Sequence, residues 1–263
     1  MPKTSLFILL GSLPVLAFQN PVPKLACNDR GFQHDSLVNH CEMREQTLAA
    51  PRGAIQINPG SNGGVTVNGW DRADMLVRAR IDTAADTDSD ARAIVSQIQI
   101  ASGGGSIEAT GPQTDHQHQW SVSYEIFAPR QSDIQAKAHN GGIRLTDLRG
   151  NIQFDTVNGG VTLARLAGDV HGQTTNGGLT VELAGDRWDG RGLDVTTTNG
   201  GVKLDVPSNY SAHFETATVN GGLKVDFPTV QGRVNKEMSF DIGQGGATIK
   251  VTTTNGGVKI TRS

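Results

Sequence analysis

The fold is decided by a short repeating stretch, of which Phe154-Asp155-Thr156-Val157-Asn158-Gly159-Gly160-Val161-Thr162-Leu163 is a clear copy. In it, an Asn-Gly-Gly triplet lies between two segments in which apolar and polar residues alternate. Alternation with a period of two is typical of β-strands, and Asn-Gly is the strongest short-range signal for a turn between strands. The stretch therefore predicts two β-strands joined at a tight corner.

The triplet occurs seven times along the chain, at Asn62, Asn140, Asn158, Asn176, Asn199, Asn220 and Asn255. From Asn140 onward the steps between triplets are 18, 18, 23, 21 and 35 residues. A period of this length indicates a repeat architecture, and it leaves no room for a crossover helix. We expect an all-β fold, a β-solenoid or β-helix-like stack of Asn-Gly-Gly coils whose Asn side chains hydrogen-bond along the axis. The alternative is an antiparallel meander with the triplets at hairpin tips.

We also expect the triplet residues to adopt backbone angles that other residues avoid, because Gly, and next Asn, tolerate such angles.

The longest step between triplets contains a copy of an earlier unit, since Ile249 to Asn255 aligns without gaps on Leu193 to Asn199. We therefore interpret this step as one coil that carries an insertion at about 228–238.

The N-terminal half is less regular, and we divide the chain into residues 1–17, 18–41, 42–138 and 139–263, the last being the regular repeat region. Residues 42–138 are expected to form an irregular β-rich part that caps the repeat. One helix is predicted at about Ser89–Gln97, because Ala91, Ile94 and Val95 follow helical spacing and Thr87 or Asp88 can cap its start. Strands are predicted at Ala54–Ile57, Val65–Val67, Met75–Ile81, Gln97–Ala101, Ser106–Ala109 and Ser121–Phe127.

Composition narrows the class of protein. Only 36% of the 263 residues are hydrophobic and 5% aromatic, while 33 are glycine, which suits a thin core of small and aliphatic side chains. The net charge is −3 and no basic segment stands out, so we expect no nucleic-acid partner.

The N-terminus indicates export. Lys3, the short apolar run Leu6–Leu16 and Ala17 together resemble a secretory signal peptide over residues 1–17. The run is too short to span a membrane. The expected location is the periplasm, or the cell surface and extracellular space; a lipid anchor at Cys27 is the rival interpretation.

Two cysteines follow the signal segment. An even pair in an exported protein favours a disulfide, here Cys27 with Cys41. A metal site that adds His34 and His40 is the alternative.

Charged residues recur at fixed places after the triplets, and we treat them as a candidate binding face. Stacked strands lie about 4.8 Å apart, so equivalent residues would form rows on the outer surface. The cationic places are Lys203, Lys224 and Lys259, and the anionic places are Glu182, Asp205 and Asp226. The competing interpretation is a merely solubilising surface. Trp188 either stacks on a sugar ring or covers the flank of the coil.

Candidate catalytic or metal residues are few. His116 and His118 with Asp115 are interpreted as a solvated loop, and Asp86, Asp88 and Asp90 as negative charge near a helix start. We also interpret the threonines before the triplets as ordinary strand residues rather than an ice- or sugar-binding array, because Val157, Ala217 and Val219 interrupt them. We expect no catalytic residues, no metal and no cofactor.

The chain resembles a known family, the bacterial DUF4097 proteins described as adhesins. The resemblance rests on Cys41–Glu45, Ser61–Val65, Gly69–Arg72, Trp120–Glu125 and the whole run from His139 to Val258. It implies a β-solenoid-like fold, export and no established enzymatic activity, and it transfers no binding residues.

These observations predict an exported, non-enzymatic β-solenoid that acts as an adhesin or interaction module at the cell envelope. Its expected partner is a cell-wall polysaccharide or an envelope protein. One alternative is a carbohydrate-active enzyme on a β-helix scaffold. Another is a structural envelope protein that self-associates end to end.

Overall fold

The structure is a computed structural model that describes residues 25–27, 36–227, 230 and 236–263. The predicted signal segment lies outside these residues. The N-terminal part holds β1 (Val38–Ala49), β2 (Ile55–Asn58), β3 (Val65–Trp70), β4 (Asp74–Ala85), α1 (Asp88–Gln97), β5 (Gln99–Gly103), β6 (Ser106–Thr110), β7 (Gln119–Pro129) and β8 (Ile134–Asn140). The repeats supply β9 (Ile143–Thr146), β10 (Arg149–Asn158), β11 (Val161–Ala164), β12 (Ala167–Asn176), β13 (Leu179–Glu182), β14 (Gly190–Asn199), β15 (Val202–Val206), β16 (Ala212–Asn220), β17 (Leu223–Val225), β18 (Glu237–Ile242), β19 (Thr248–Asn255) and β20 (Val258–Arg262).

The described strands form two ten-stranded sheets. Sheet 1 has the order β1-β4-β7-β3-β9-β11-β13-β15-β20-β17, and sheet 2 has the order β18-β16-β19-β14-β12-β10-β8-β2-β6-β5. Each Asn-Gly-Gly triplet joins a strand of sheet 2 to a strand of sheet 1. The strands of the repeat pair in parallel with their neighbours, except β16 with β18. The prediction of a mainly β fold is confirmed.

The asparagines of the triplets form a ladder along one edge of the molecule. Asn140 pairs with Asn158, Asn158 with Asn176, and Asn176 with Asn199 in adjacent strands. Six of the seven asparagines donate from Nδ2 to the Oδ1 of a neighbouring asparagine, at 2.7 to 3.0 Å. Asn62, at the end of the ladder, accepts from Asn140 and donates instead to the Trp120 carbonyl. Pairing along the ladder satisfies amides that would otherwise need water, and it fixes the register of the coils.

The order of the last coils differs from the expected one. β19 lies between β14 and β16, and β20 lies between β15 and β17. The coil β19–β20 therefore lies between two coils, β14–β15 and β16–β17, that are consecutive in sequence. Ile249 to Asn255, which aligns without gaps on Leu193 to Asn199 in the sequence, also pairs with that segment directly in sheet 2. Residues Glu237–Ile242, within the expected insertion and just beyond it, form an antiparallel edge strand beside β16.

The expectation that the triplet glycines adopt backbone angles avoided by other residues is wrong at all but one triplet. Among the triplets, only Gly63 has φ in the left-handed region. Positive φ instead occurs at the glycines that begin the sheet 2 strands, such as Gly168 at 100°. The first glycine of a repeat triplet is required for close approach, because a Cβ on Gly177 would overlap the carbonyl oxygen of Gly159 on the neighbouring strand.

The core lies between the two sheets, where alternate strand residues meet. Aliphatic side chains such as Ile152, Leu163, Val195 and Ile260 are almost fully buried in it. Burial of these aliphatic side chains explains why the chain folds with few aromatic residues.

The N-terminal part adds an antiparallel edge and a helix. α1 begins after Thr87, whose hydroxyl accepts from the N–H of Asp90, so the predicted helix and its cap are confirmed. Arg44 of β1 donates to the carbonyls of Ile98 and Val95 at 3.0 and 3.2 Å and so satisfies the end of the helix. The sequence does not predict β1, because its mostly polar residues show no regular alternation.

Cys27 and Cys41 form a disulfide, with a Cα–Cα distance of 5.7 Å. This confirms the predicted pairing and links residue 27 to strand β1. None of the helices found in the described ranges has both the length and the apolar character needed to cross a membrane.

Candidate functional site

Three lysines lie side by side on the outer face of sheet 1. Lys203 of β15 pairs with Lys259 of β20, which pairs in turn with Lys224 of β17. The intercalated coil therefore places Lys259 in the middle, where sequence order would place Lys224. All three side chains are exposed, and neighbouring strands lie about 4.8 Å apart. We call Lys203, Lys259 and Lys224 the lysine row.

The predicted anionic row is interrupted. Glu182 pairs with Asp205, but the next position is Thr261, and Asp226 follows beyond it. Lys203 Nζ lies 2.7 Å from Asp205 Oδ2, and the Thr261 hydroxyl donates to the same carboxylate. Burial raises the pKa of Asp205, but these hydrogen bonds and the charges of Lys203 and Lys259 outweigh it and hold the pKa below its usual value. Asp205 therefore stays ionised and neutralises one end of the lysine row.

A shallow groove runs beside the lysine row. The second glycines of four triplets form its floor, and Thr180 and the three lysines line one side. The cavity has a volume of about 450 Å³. We call it the glycine groove; its floor residues are Gly178, Gly201, Gly257 and Gly222, in spatial order.

Charged residues also alternate along a corner of the coils that was not predicted. Arg130 contacts Asp71 at 2.8 Å and Asp147 at 3.5 Å, and Arg165 contacts Asp147 at 2.8 Å and Glu182 at 3.3 Å. Asp147 and Arg165 both have positive φ, at 57° and 53°. Each carboxylate and guanidinium here has an opposite charge beside it, so this corner is better suited to holding the coils together than to binding a charged ligand.

A second unpredicted cluster lies on the outer face of sheet 2. Asp241 Oδ1 lies 2.8 Å from Nδ1 of His213, and the Ser239 hydroxyl lies 3.2 Å from Nε2. The order serine–histidine–aspartate is that of a nucleophile and its base. Here it follows from antiparallel pairing of β16 with β18, in which Asp241 is opposite His213. Glu215 Oε1 also lies 3.8 Å from Nε2 of His213, beyond hydrogen-bond distance.

The other predicted candidates are placed as follows. His118 bonds to Asp115 in a loop, and Asp90 and Asp88 lie in the first turn of α1. Among the described residues, no group of three metal-ligating side chains comes together. Trp188 is 6% exposed and its Nε1 donates to the Gly168 carbonyl, so it covers the flank of the coil and offers no open sugar-stacking surface.

The threonine positions need a smaller correction. Ala217 and Val219 do not separate the two Thr-Thr-Thr runs, because β14 and β19 are neighbours and Thr252 donates to Thr196 at 2.8 Å. The row of threonines at these positions spans only the two strands β14 and β19, because Ala217 follows at the paired position of β16.

The comparisons with known proteins point in one direction. A search of the curated proteins finds no significant match. The family model "Toastrack DUF4097" matches residues 47–261, which is most of the chain. The chain belongs to the DUF4097 family. The resemblance seen in the triplets and in the Trp120 segment is thereby confirmed.

Solved structures similar to this DUF4097 chain come from several bacteria, and each match covers 84% of this chain. A "putative cell adhesion protein" of Clostridium sporogenes ATCC 15579 is 11% identical, with a TM-score of 0.44 and all of its chain covered. A "putative adhesin" of Bacteroides fragilis NCTC 9343 is 11% identical, with a TM-score of 0.36 and 97% of its chain covered. A "putative lipid binding protein" of Parabacteroides distasonis ATCC 8503 is 8% identical, with a TM-score of 0.37 and 96% of its chain covered.

Proposed function

We propose that this DUF4097 protein is an exported, non-enzymatic β-solenoid that acts as an adhesin or interaction module at the cell envelope. The observation that carries the proposal is the outer face of sheet 1, where four separate strands contribute Glu182, Asp205 and the lysine row to one flat charged surface. A surface assembled from consecutive rungs suits a long ligand better than a small substrate.

The disulfide between Cys27 and Cys41 supports export, because such bonds persist in oxidising compartments. The signal segment at 1–17, the four-part division of the chain and the location in the periplasm or at the cell surface stay predictions. The expected partner is a cell-wall polysaccharide or an envelope protein.

The proposal is tested by binding of the purified protein to fractionated envelope material from its source bacterium. Changing Lys203, Lys224 and Asp205 together to Ser removes two cations and one anion from the face and should abolish most of the binding. Lys137, Lys250 and Asp194 on sheet 2 are the matched control, since their change to Ser removes the same charges and should leave binding intact. Equal binding by both variants would exclude the sheet 1 face.

The enzyme alternative now has one observation in its favour, the Ser239–His213–Asp241 chain of hydrogen bonds. An acyl-transfer site also needs donors preorganised for the oxyanion. We expect no labelling of Ser239 by a fluorophosphonate and no new chain ends in a broad panel of polysaccharides. Labelling that disappears in His213→Gln would contradict the non-enzymatic assignment.

A further inference from the structure

The lysine row is incompletely neutralised. Lys203 is held by Asp205, but within the part of the chain that the structure describes, Lys259 and Lys224 have no ion-pair partner. The acidic position next to Lys259 is occupied by Thr261. Two ammonium groups on adjacent strands are therefore available to an anion, on the side of the row that borders the glycine groove.

The glycines of the groove are not all required by the fold. None of them has positive φ. An added Cβ would meet its nearest atom at 3.5 Å at Gly178, and nothing within 4 Å at Gly222. By contrast, a Cβ on the first glycine of the same triplets would overlap a backbone carbonyl. What the second glycines do provide is an open groove, which side chains at these places would fill.

The backbone of the groove glycines is partly hydrogen-bonded. The carbonyl groups of Gly201, Gly257 and Gly222 accept from Leu179, Val202 and Val258 on the next strand, at 2.8 to 3.0 Å. For the N–H groups of these three glycines and of Gly178, the described residues supply no acceptor. The carbonyls of the groove floor are thus occupied, and the positive charge that favours an anion comes from the ammonium groups of Lys259 and Lys224.

The spacing selects the kind of anion. Both the lysines and the groove glycines repeat once per strand, about every 4.8 Å, along a line perpendicular to the strands. This repeat is comparable to the length of one sugar residue in an extended polysaccharide. Resting on the proposed function, we infer that the glycine groove and the lysine row bind a linear acidic polysaccharide with one carboxylate per sugar, laid along the solenoid axis.

The test is titration calorimetry with polygalacturonate fragments of defined length, at two salt concentrations. The variant Lys203→Gln, Lys259→Gln, Lys224→Gln should bind about tenfold more weakly, since Lys259 and Lys224 are the two available charges and each exposed charge contact contributes roughly threefold. Its salt dependence should also be shallower, because fewer counterions are released. Affinity should rise with fragment length up to about four sugars and then level off.

Two controls make the result specific. The variant Lys137→Gln, Lys250→Gln, Arg191→Gln removes three cations from outside the groove and should bind as the parent does. The variant Gly178→Val, Gly222→Val keeps every charge but fills the groove, and it should lose affinity while its circular dichroism spectrum stays unchanged. Methyl-esterified fragments, which lack the charge, should not bind.

Three outcomes would overturn the inference: equal affinity in the lysine variant, equal loss in the sheet 2 control, or tighter binding of polyphosphate than of polygalacturonate. These outcomes are distinct from failure of the proposed function. If the parent protein binds envelope material through the sheet 1 face but binds no acidic polysaccharide, the adhesin role stands and only the ligand class is wrong.

Discussion

The two glycines of each Asn-Gly-Gly triplet have different physical roles. The first lies where coils touch backbone to backbone, so that Gly177 approaches Gly159 and Gly200 approaches Gly177. The second is less tightly packed: an added Cβ would meet its nearest atom at 3.5 Å at Gly178, which is exposed, and at 3.0 Å at Gly142. The first glycine of a triplet therefore permits close packing between strands, whereas the second, as at Gly178, leaves the surface open.

This difference predicts unequal effects of the same small substitution. Gly177→Ala should lower the free energy of unfolding by about 3 kcal/mol, because the new methyl group meets a rigid backbone carbonyl. Gly178→Ala should change it by less than about 1 kcal/mol, since a glycine replaced without strain even gains from the less flexible unfolded chain. Urea denaturation of the two variants measures both values, and equal destabilisation would refute the distinction.

At the scale of the strand, β14 and β19 are direct neighbours although another coil lies between them along the chain. Val195-Thr196-Thr197-Thr198-Asn199 and Val251-Thr252-Thr253-Thr254-Asn255 are identical and lie side by side. Among the residues that the structure describes, β16 pairs with β19 and β18 alone, so its attachment to the rest of sheet 2 depends on the intercalated strand.

Engineered disulfides test this order directly. Thr196→Cys with Thr252→Cys should cross-link spontaneously, because the two hydroxyl oxygens are 2.8 Å apart on paired residues. Thr196→Cys with Ala217→Cys should not, since β19 separates them by two strand spacings, about 9.6 Å, which is beyond the reach of a disulfide. Peptide mapping by mass spectrometry gives the answer, and a bond in the second pair would restore simple sequential stacking.

For the whole molecule, the intercalated coil connects the coil β16–β17 to everything before it. Among the described residues, the direct strand contacts of β16–β17 to earlier coils reduce to the isolated bridge Arg187–Ser211. Without β19 and β20, the edges of β14 and β15 would be open, and open edges promote association between chains.

Removing residues 248–263 should therefore cause the protein to aggregate, as measured by size-exclusion chromatography with light scattering. A synthetic peptide of residues 248–263 added during refolding should restore the original elution, because it can fill the same slot. A peptide in which Ile249 and Val251 are both changed to Asp provides the control. A truncated chain with unchanged elution and melting temperature would contradict the role assigned to the coil.

Much of the fold, but not all of it, can be predicted from the sequence. Alternation around Asn158 and Asn176 predicts the strands, and equal spacing predicts the stacked asparagines, because both are local patterns. The order of the coils is not local: identical runs at Val195 and Val251 satisfy any periodic arrangement equally. Likewise, the contact of His213 with Ser239 depends on an antiparallel edge strand whose partner no spacing reveals.

The intercalated coil also has a consequence for timing. The slot between β14 and β16 can be filled only after residues 248–262 have been synthesised, so neither sheet can be completed before that segment has left the ribosome. A polypeptide whose sheets stay open until this segment arrives can still be threaded through a narrow channel, as the proposed export would require. We expect the final closing of the fold to occur on the far side of the membrane.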